Sequence, residues 1–173
     1  GWAWATNAPY QWTKQVASHW GGTRNGTIVH WPKGIEERGG LRHQFTHVID
    51  VAPTILEAAG LPTPQMVNGT AQRPMDGVSM LYAAKDPAAA GQHETQYFEM
   101  MGQWALYDDG WFVSTKVNRA PWDAFGPANP DPLNNQVFQL YNLNTDFSQT
   151  TDLATKFPQR VKEMKAKFIA EAK

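Results

Sequence analysis

Asn7-Ala8-Pro9-Tyr10-Gln11-Trp12-Thr13-Lys14, followed by Gly21-Gly22-Thr23-Arg24 and then Thr27-Ile28-Val29-His30-Trp31-Pro32, is the stretch on which the reading of this chain turns. A cation sits in an aromatic loop, a glycine pair lies a short way beyond it, and a β-branched run comes next. The glycines permit a positive φ or a close backbone approach. Arg24 can pair with a carboxylate or an anion, and a structural ion pair is the expected role. Thr27 to Trp31 reads as a short strand closed by Pro32, since proline removes a ladder donor. Upstream, Gly1 to Lys14 hold three Trp, a Tyr and a Pro without periodicity, which predicts an aromatic loop.

Working outward, Asp50 precedes Val51-Ala52-Pro53-Thr54-Ile55-Leu56-Glu57-Ala58-Ala59, with Gly60 and Pro62 beyond. Asp50 is an N-cap candidate, Pro53 fits a first turn and Gly60 is a C-cap candidate, so a helix is predicted here. Residues 61 to 93 are rich in proline, with an Ala-rich stretch from Lys85 to Gly91, the composition of a connection between subdomains. A boundary is therefore expected near residue 91. Beyond it, Gln96 to Met100, Trp104 to Tyr107 and Trp111 to Lys116 read as strands, the last two joined through Asp108-Asp109-Gly110 as a hairpin. A loop from Ala120 to Asn135 leads to a fourth strand, Val137 to Tyr141. Pro158 then opens a helix with Val161, Met164, Phe168 and Ala172 on one face, expected to pack on the small antiparallel sheet.

The chain has 173 residues, 42% hydrophobic and 12% aromatic, enough for a sizeable core. Its formal net charge is −1, and neither half is strongly basic, which speaks against a nucleic-acid surface or a polybasic membrane surface. No apolar stretch approaches the roughly 18 residues of a membrane span, and no signal peptide is visible. The absence of cysteine excludes disulfides and thiolate metal sites.

Lys14 is the first candidate for chemistry, because a fixed ammonium stabilises negative charge that grows on a leaving oxygen, the plain alternative being a solvated loop lysine. His19, beside the glycine pair, points toward an anion or serves as a hydrogen-bonded loop histidine, the second being expected. His43 and His47 are four apart and would share a face as a metal pair if their segment were helical, though no third ligand accompanies them. The pairs Glu36-Glu37 and Asp108-Asp109 belong to a charged loop and a hairpin tip, and neither forms a general acid/base dyad. Two Asn-Gly-Thr sequons, at Asn25 and Asn68, would accept glycans in a eukaryotic secretory pathway.

Taken in order, these blocks resemble the late part of formylglycine-dependent arylsulfatases, of the sulfatase family in the alkaline-phosphatase-like superfamily. The resemblance is carried by Asn7-Ala8-Pro9-Tyr10 with Lys14 and Gly21-Gly22-Thr23-Arg24, and by His47 to Gly60 followed by Asp76-Gly77-Val78-Ser79. Phe98-Glu99 to Gly110-Trp111 and Gln139 to Leu143 with Asp146 and Thr151-Asp152-Leu153-Ala154 complete it. The sequence departs from the family pattern at Gln103-Trp104 and at Gly26.

The resemblance implies an α/β with α+β fold: residues 1–90 as the C-terminal portion of a catalytic α/β domain, and 91–173 as a C-terminal α+β subdomain. It implies hydrolysis of a sulfate-ester small molecule, with Lys14 contacting the sulfate near the leaving oxygen. Calcium and a formylglycine residue are implied for the complete enzyme. This sequence has no Cys-x-Pro-x-Arg, Ser-x-Pro-x-Arg or Asp-Asn pair, so an inactive C-terminal fragment is expected. Its expected partner is the missing N-terminal sulfatase region, or a second copy by self-association. The bacterial periplasm or cytoplasm is the implied location. The competing reading is a non-catalytic interaction module that uses the Trp-rich start as an apolar platform. A phosphatase or phosphonate hydrolase of the same superfamily is a third.

Overall fold

The computed structural model describes residues 1–117, 131 and 133–172. The chain is a mixed α/β structure that divides into two units, Gly1–Gly26 with Thr95–Lys173, and Thr27–Glu94. Most of the expected 120–135 loop lies outside the described residues.

The first unit is built on a four-stranded antiparallel meander. Its strands, numbered by their place in the whole chain, are β3 (Thr95–Met100), β4 (Gln103–Asp108), β5 (Trp111–Thr115) and β6 (Phe138–Asn142), paired in sequence order. Tight turns fix the register. Asp109 and Gly110 have φ of 43° and 79° between the pair Asp108↔Trp111, the left-handed geometry expected of Asp-Gly in a two-residue hairpin. Met101 and Gly102 do the same between Met100↔Gln103, a turn that the sequence marks only by its glycine.

Both faces of this sheet are covered, so alternate residues of one strand enter different cores. Trp104, Leu106, Val113 and Leu140 point to the helix α5 (Pro158–Glu171) and pack on its Met164 and Phe168. The Trp104 and Phe168 rings stack with centroids 4.0 Å apart. Ala105, Phe112 and Tyr141 point the other way, where Trp20 of the N-terminal segment closes on Phe112. Each buried large apolar side chain among them, such as Leu106, Val113 or Phe112, contributes about 1.5–3 kcal/mol. Of the four residues expected on the buried face of α5, Ala172 is exposed, as the C-cap residue at the end of the helix.

The N-terminal stretch differs from the aromatic loop expected of it. Trp2–Asn7 forms a short helix, α1, and Trp20–Thr23 a single turn, α2. Trp2 and Trp4 are nonetheless exposed.

In the second unit the expected helix is present as α3 (Val51–Ala58), with a hydrogen-bonded C-terminus of Schellman type. Leu61 N–H reaches Leu56 C=O and Gly60 N–H reaches Glu57 C=O, with Gly60 at φ 67°. The N-terminus carries a correction in the use of the cap residue, not in its position. Asp50 does stand at the N-cap position of α3, but a 3₁₀ turn, Val48–Asp50, runs into the helix, so Asp50 has helical dihedrals and its side chain makes no cap hydrogen bond to α3. His47, extended, caps that turn in a reciprocal box with Asp50. The connection beyond α3 carries a small hairpin, β1 (Met66–Val67) and β2 (Thr70–Ala71), turned by Asn68-Gly69, and a short helix, α4 (Leu81–Lys85).

Thr27 to Trp31 is the second correction. The run is irregular instead of a strand, with Thr27 to His30 exposed, Ile28 at 97%, and Trp31 half-buried. β-propensity reflects packing on a pleated neighbour, and among the described residues no strand pairs with it.

Candidate functional site

Lys14 is exposed on a turn that its neighbours hold firmly. Val16 N–H donates to Thr13 C=O across Lys14 and Gln15, and Gln15 takes a φ of 78°, as the third residue of a type II turn does. The four residues that follow, Val16, Ala17, Ser18 and His19, are all buried. The cation is thus exposed at its tip and anchored at its base.

The glycine pair explains how the chain returns to that turn. Gly21 packs so closely on the carbonyls of Gln11 and Trp12, and Gly22 on that of Val16, that a Cβ at either position would overlap backbone. Neither has a positive φ, so of the two expected uses the close approach is the one realised. Asn7 ties the layers together, its side-chain amide donating to Gly21 C=O at 2.7 Å and Trp12 C=O at 3.3 Å. Gln149, 1% exposed, completes the brace. Its side-chain oxygen accepts the Trp20 N–H at 2.8 Å, and its carbonyl accepts the side-chain amide of Gln11. The sequence reading missed Gln149, because a lone Gln in a loop has no spacing or motif to mark it.

His19 is a structural member of this block. Its Nδ1 lies 3.0 Å from the Ser18 hydroxyl, and its ring sits edge-on to Tyr141. Burial lowers its pKa to about 4, so it is neutral at physiological pH and adds no charge for an anion. Arg24 makes no ion pair among the described residues, in contrast to its expected role. Its guanidinium instead lies over the rings of Trp20 at 4.8 Å and Tyr10 at 5.2 Å.

The second unit holds a different polar cluster. Asp50, 1% exposed, accepts the His47 N–H at 2.7 Å and the Val78 N–H at 2.8 Å, and both its carboxylate oxygens lie 2.8 Å from His93 Nδ1. Gly77 allows this, because a Cβ there would strike the Ile49 carbonyl. The cluster ties the start of α3 to the Asp76-Gly77-Val78 segment. His43 and His47 are not on a helix: His43 is exposed in irregular chain, and burial followed by the neighbouring His93 lowers the pKa of His47. A groove beside α3, lined by Pro53, Thr63, Pro64, Arg73 and Met75 among others, includes none of the candidate residues.

A family model described as Sulfatase matches residues 5–61, which include Lys14, the glycine pair and α3. The likeness is to sulfatases. The fold extends it: BT33336S-sulf, from the Bacteroides thetaiotaomicron locus for metabolism of multiple glycosaminoglycans, aligns with 91% of this chain at 18% identity and a TM-score of 0.60. Ps i-CgsB aligns with 78% at 22% identity and a TM-score of 0.53. BT4656, solved with its substrate D-glucosamine-2-N,6-O-disulfate, aligns with 83% at 13% identity and a TM-score of 0.55. These proteins share an alkaline-phosphatase-like fold, and this chain spans 30%, 26% and 27% of their lengths.

The sulfatase family implies calcium and formylglycine in complete enzymes. The residues here do not fit either one. The sequence has no cysteine, and among the described residues no three His, Asp or Glu side chains gather where a metal ion would be held. Among them too, no helix is long and apolar enough to cross a membrane.

Proposed function

We propose that this chain is the C-terminal part of a sulfate-ester hydrolase, with Lys14 as a cationic wall of its active site. The observation that carries this reading is the coincidence of the sulfatase-like segment 5–61 with a braced turn that holds Lys14 exposed. An ammonium fixed beside the bridging oxygen of a sulfate ester stabilises the charge that grows there as the S–O bond breaks. The brace matters because stabilisation is greatest when the charge is already in position and needs no reorganisation.

A cation without a nucleophile or metal lacks the parts that attack sulfur. The isolated chain is therefore inactive, and the α/β portion that bears those parts is its partner. An aryl sulfate is one substrate class. A sulfated amino sugar is the other, favoured by the substrate bound to BT4656. The test is turnover of 4-nitrophenyl sulfate and glucosamine 6-sulfate by the purified chain, alone and joined behind a sulfatase portion carrying Cys-x-Pro-x-Arg. No release by the chain alone and release by the joined protein support the reading. Turnover by the chain alone, removed by Lys14→Ala, would refute the inactivity.

A non-catalytic module is the second reading, and the exposure of Trp2 at 88% and Trp4 at 69% favours it. Binding of a sulfated glycan to the isolated chain that Trp2→Ala abolishes would select it.

A further inference from the structure

The chain contains the dipeptide Asn-Gly twice, in the same triplet, and the structure puts the two copies in unlike backbones. Asn25-Gly26 lies in irregular, exposed chain. A Cβ on Gly26 would meet nothing within 4 Å, and the Asn25 side chain has one long contact, 3.5 Å to Thr23 C=O. No backbone acceptor takes the Gly26 N–H among the described residues. Asn68-Gly69 is the two-residue turn of the β1–β2 hairpin, with φ of 49° and 80° and with Val67↔Thr70 paired across it.

We propose that Asn25 is a site of spontaneous deamidation, and that the hairpin protects Asn68. The Gly26 nitrogen attacks Asn25 Cγ and forms a C–N bond, the bond from Cγ to the side-chain nitrogen breaks, and that nitrogen leaves as ammonia with the proton given up by the Gly26 amide. Water then adds to either carbonyl of the resulting succinimide and opens it to aspartate or isoaspartate. The net change consumes one water and releases one ammonia, so no oxidant or other reactant is needed.

Ring closure requires the peptide between Asn and Gly to rotate until its nitrogen reaches Cγ. Glycine leaves that nitrogen unobstructed at both sites. Only at Gly26 is the peptide also free to turn. At Gly69 the flanking pair holds it in the left-handed turn, so the hairpin must open first. The product places a carboxylate next to Arg24, on the block that carries Lys14, and it destroys the Asn25 sequon.

The test incubates the full chain in mildly alkaline buffer and follows both sites by peptide mass spectrometry, with an isoaspartate methyltransferase assay as the second readout. The expected result is conversion at Asn25 at least about tenfold faster than at Asn68, with the two rates converging in denaturant, where the hairpin is lost. Equal rates in the native chain, faster conversion at Asn68, or no conversion at Asn25 under conditions where the denatured chain reacts would each overturn it. Gly26→Ala serves as the control and slows the reaction at Asn25 only.

Discussion

Trp111-Phe112-Val113-Ser114-Thr115 and Thr27-Ile28-Val29-His30-Trp31 are both five-residue runs rich in β-branched and aromatic residues, but they end in different states. The first is β5, paired on both sides, with Val113 fully buried. The second is irregular, and its Ile28 is 97% exposed. The residue types are the same in kind, so the difference lies in what is available to pair and pack. β5 has a hairpin neighbour two turn residues away and a helix to cover it; Thr27 to Trp31 has neither within its own unit. A strand is a property of a run together with its neighbours.

That contrast can be broken most sharply at Phe168, which covers the sheet from α5. Phe168→Ala removes the stack on Trp104 and is expected to cost about 3–5 kcal/mol in urea unfolding. A loss below about 1 kcal/mol would mean that the cover is not what holds the strands. Asp50→Ala tests the second unit, which lacks the four-stranded sheet. It leaves two amides and His93 without their acceptor and is expected to cost on the order of 3 kcal/mol. Hydrogen exchange should rise at His47 and Val78 while the β4 and β5 amides stay protected, and uniform loss of protection would contradict the two-unit description.

His19 adds a pH dependence to the first unit alone. Burial holds its pKa at about 4 against 6.5 in an open chain, so the unfolded state takes up the proton first as pH falls. Its contribution is complete above pH 6.5 and declines toward pH 4, by on the order of 3 kcal/mol. His19→Gln should flatten that part of the stability profile, and an unchanged slope would show that another group sets it. The smallest effect is expected at Ile28, where truncation to Ala changes stability by less than about 0.5 kcal/mol. A loss of 2 kcal/mol or more, about that of a core truncation, would show that Thr27 to Trp31 is covered in solution.

Contacts a few residues apart were legible in the sequence, and distant ones were not. The meander was legible because Asp109-Gly110 and the strand periodicity specify contacts a few residues apart. The Gly60 end of α3 and the Pro158 start of α5 were legible for the same reason. The Asn68-Gly69 turn carried an equally local signal, but the proline-rich composition around it pointed to a plain connection. The position of Asp50 at the start of α3 was legible, but the use of its side chain was not, because it accepts from Val78 and His93, 28 and 43 residues away, and local spacing does not record such partners. At the candidate site, the close backbone approach at Gly21 and Gly22 could be read from the glycine pair. Gln149 could not, since it reaches Trp20 across 129 residues.

The most direct test of the Lys14 assignment is kcat/KM for a sulfate ester in the joined, metal-loaded protein, compared between Lys14 and Lys14→Ala with the fold checked by circular dichroism. A loss on the order of 10²–10³-fold, mostly in kcat and with the fold intact, is the expected result for a cation that stabilises the leaving oxygen. An unchanged kcat/KM in the Ala variant would contradict it and reduce Lys14 to a solvated residue on a well-braced turn.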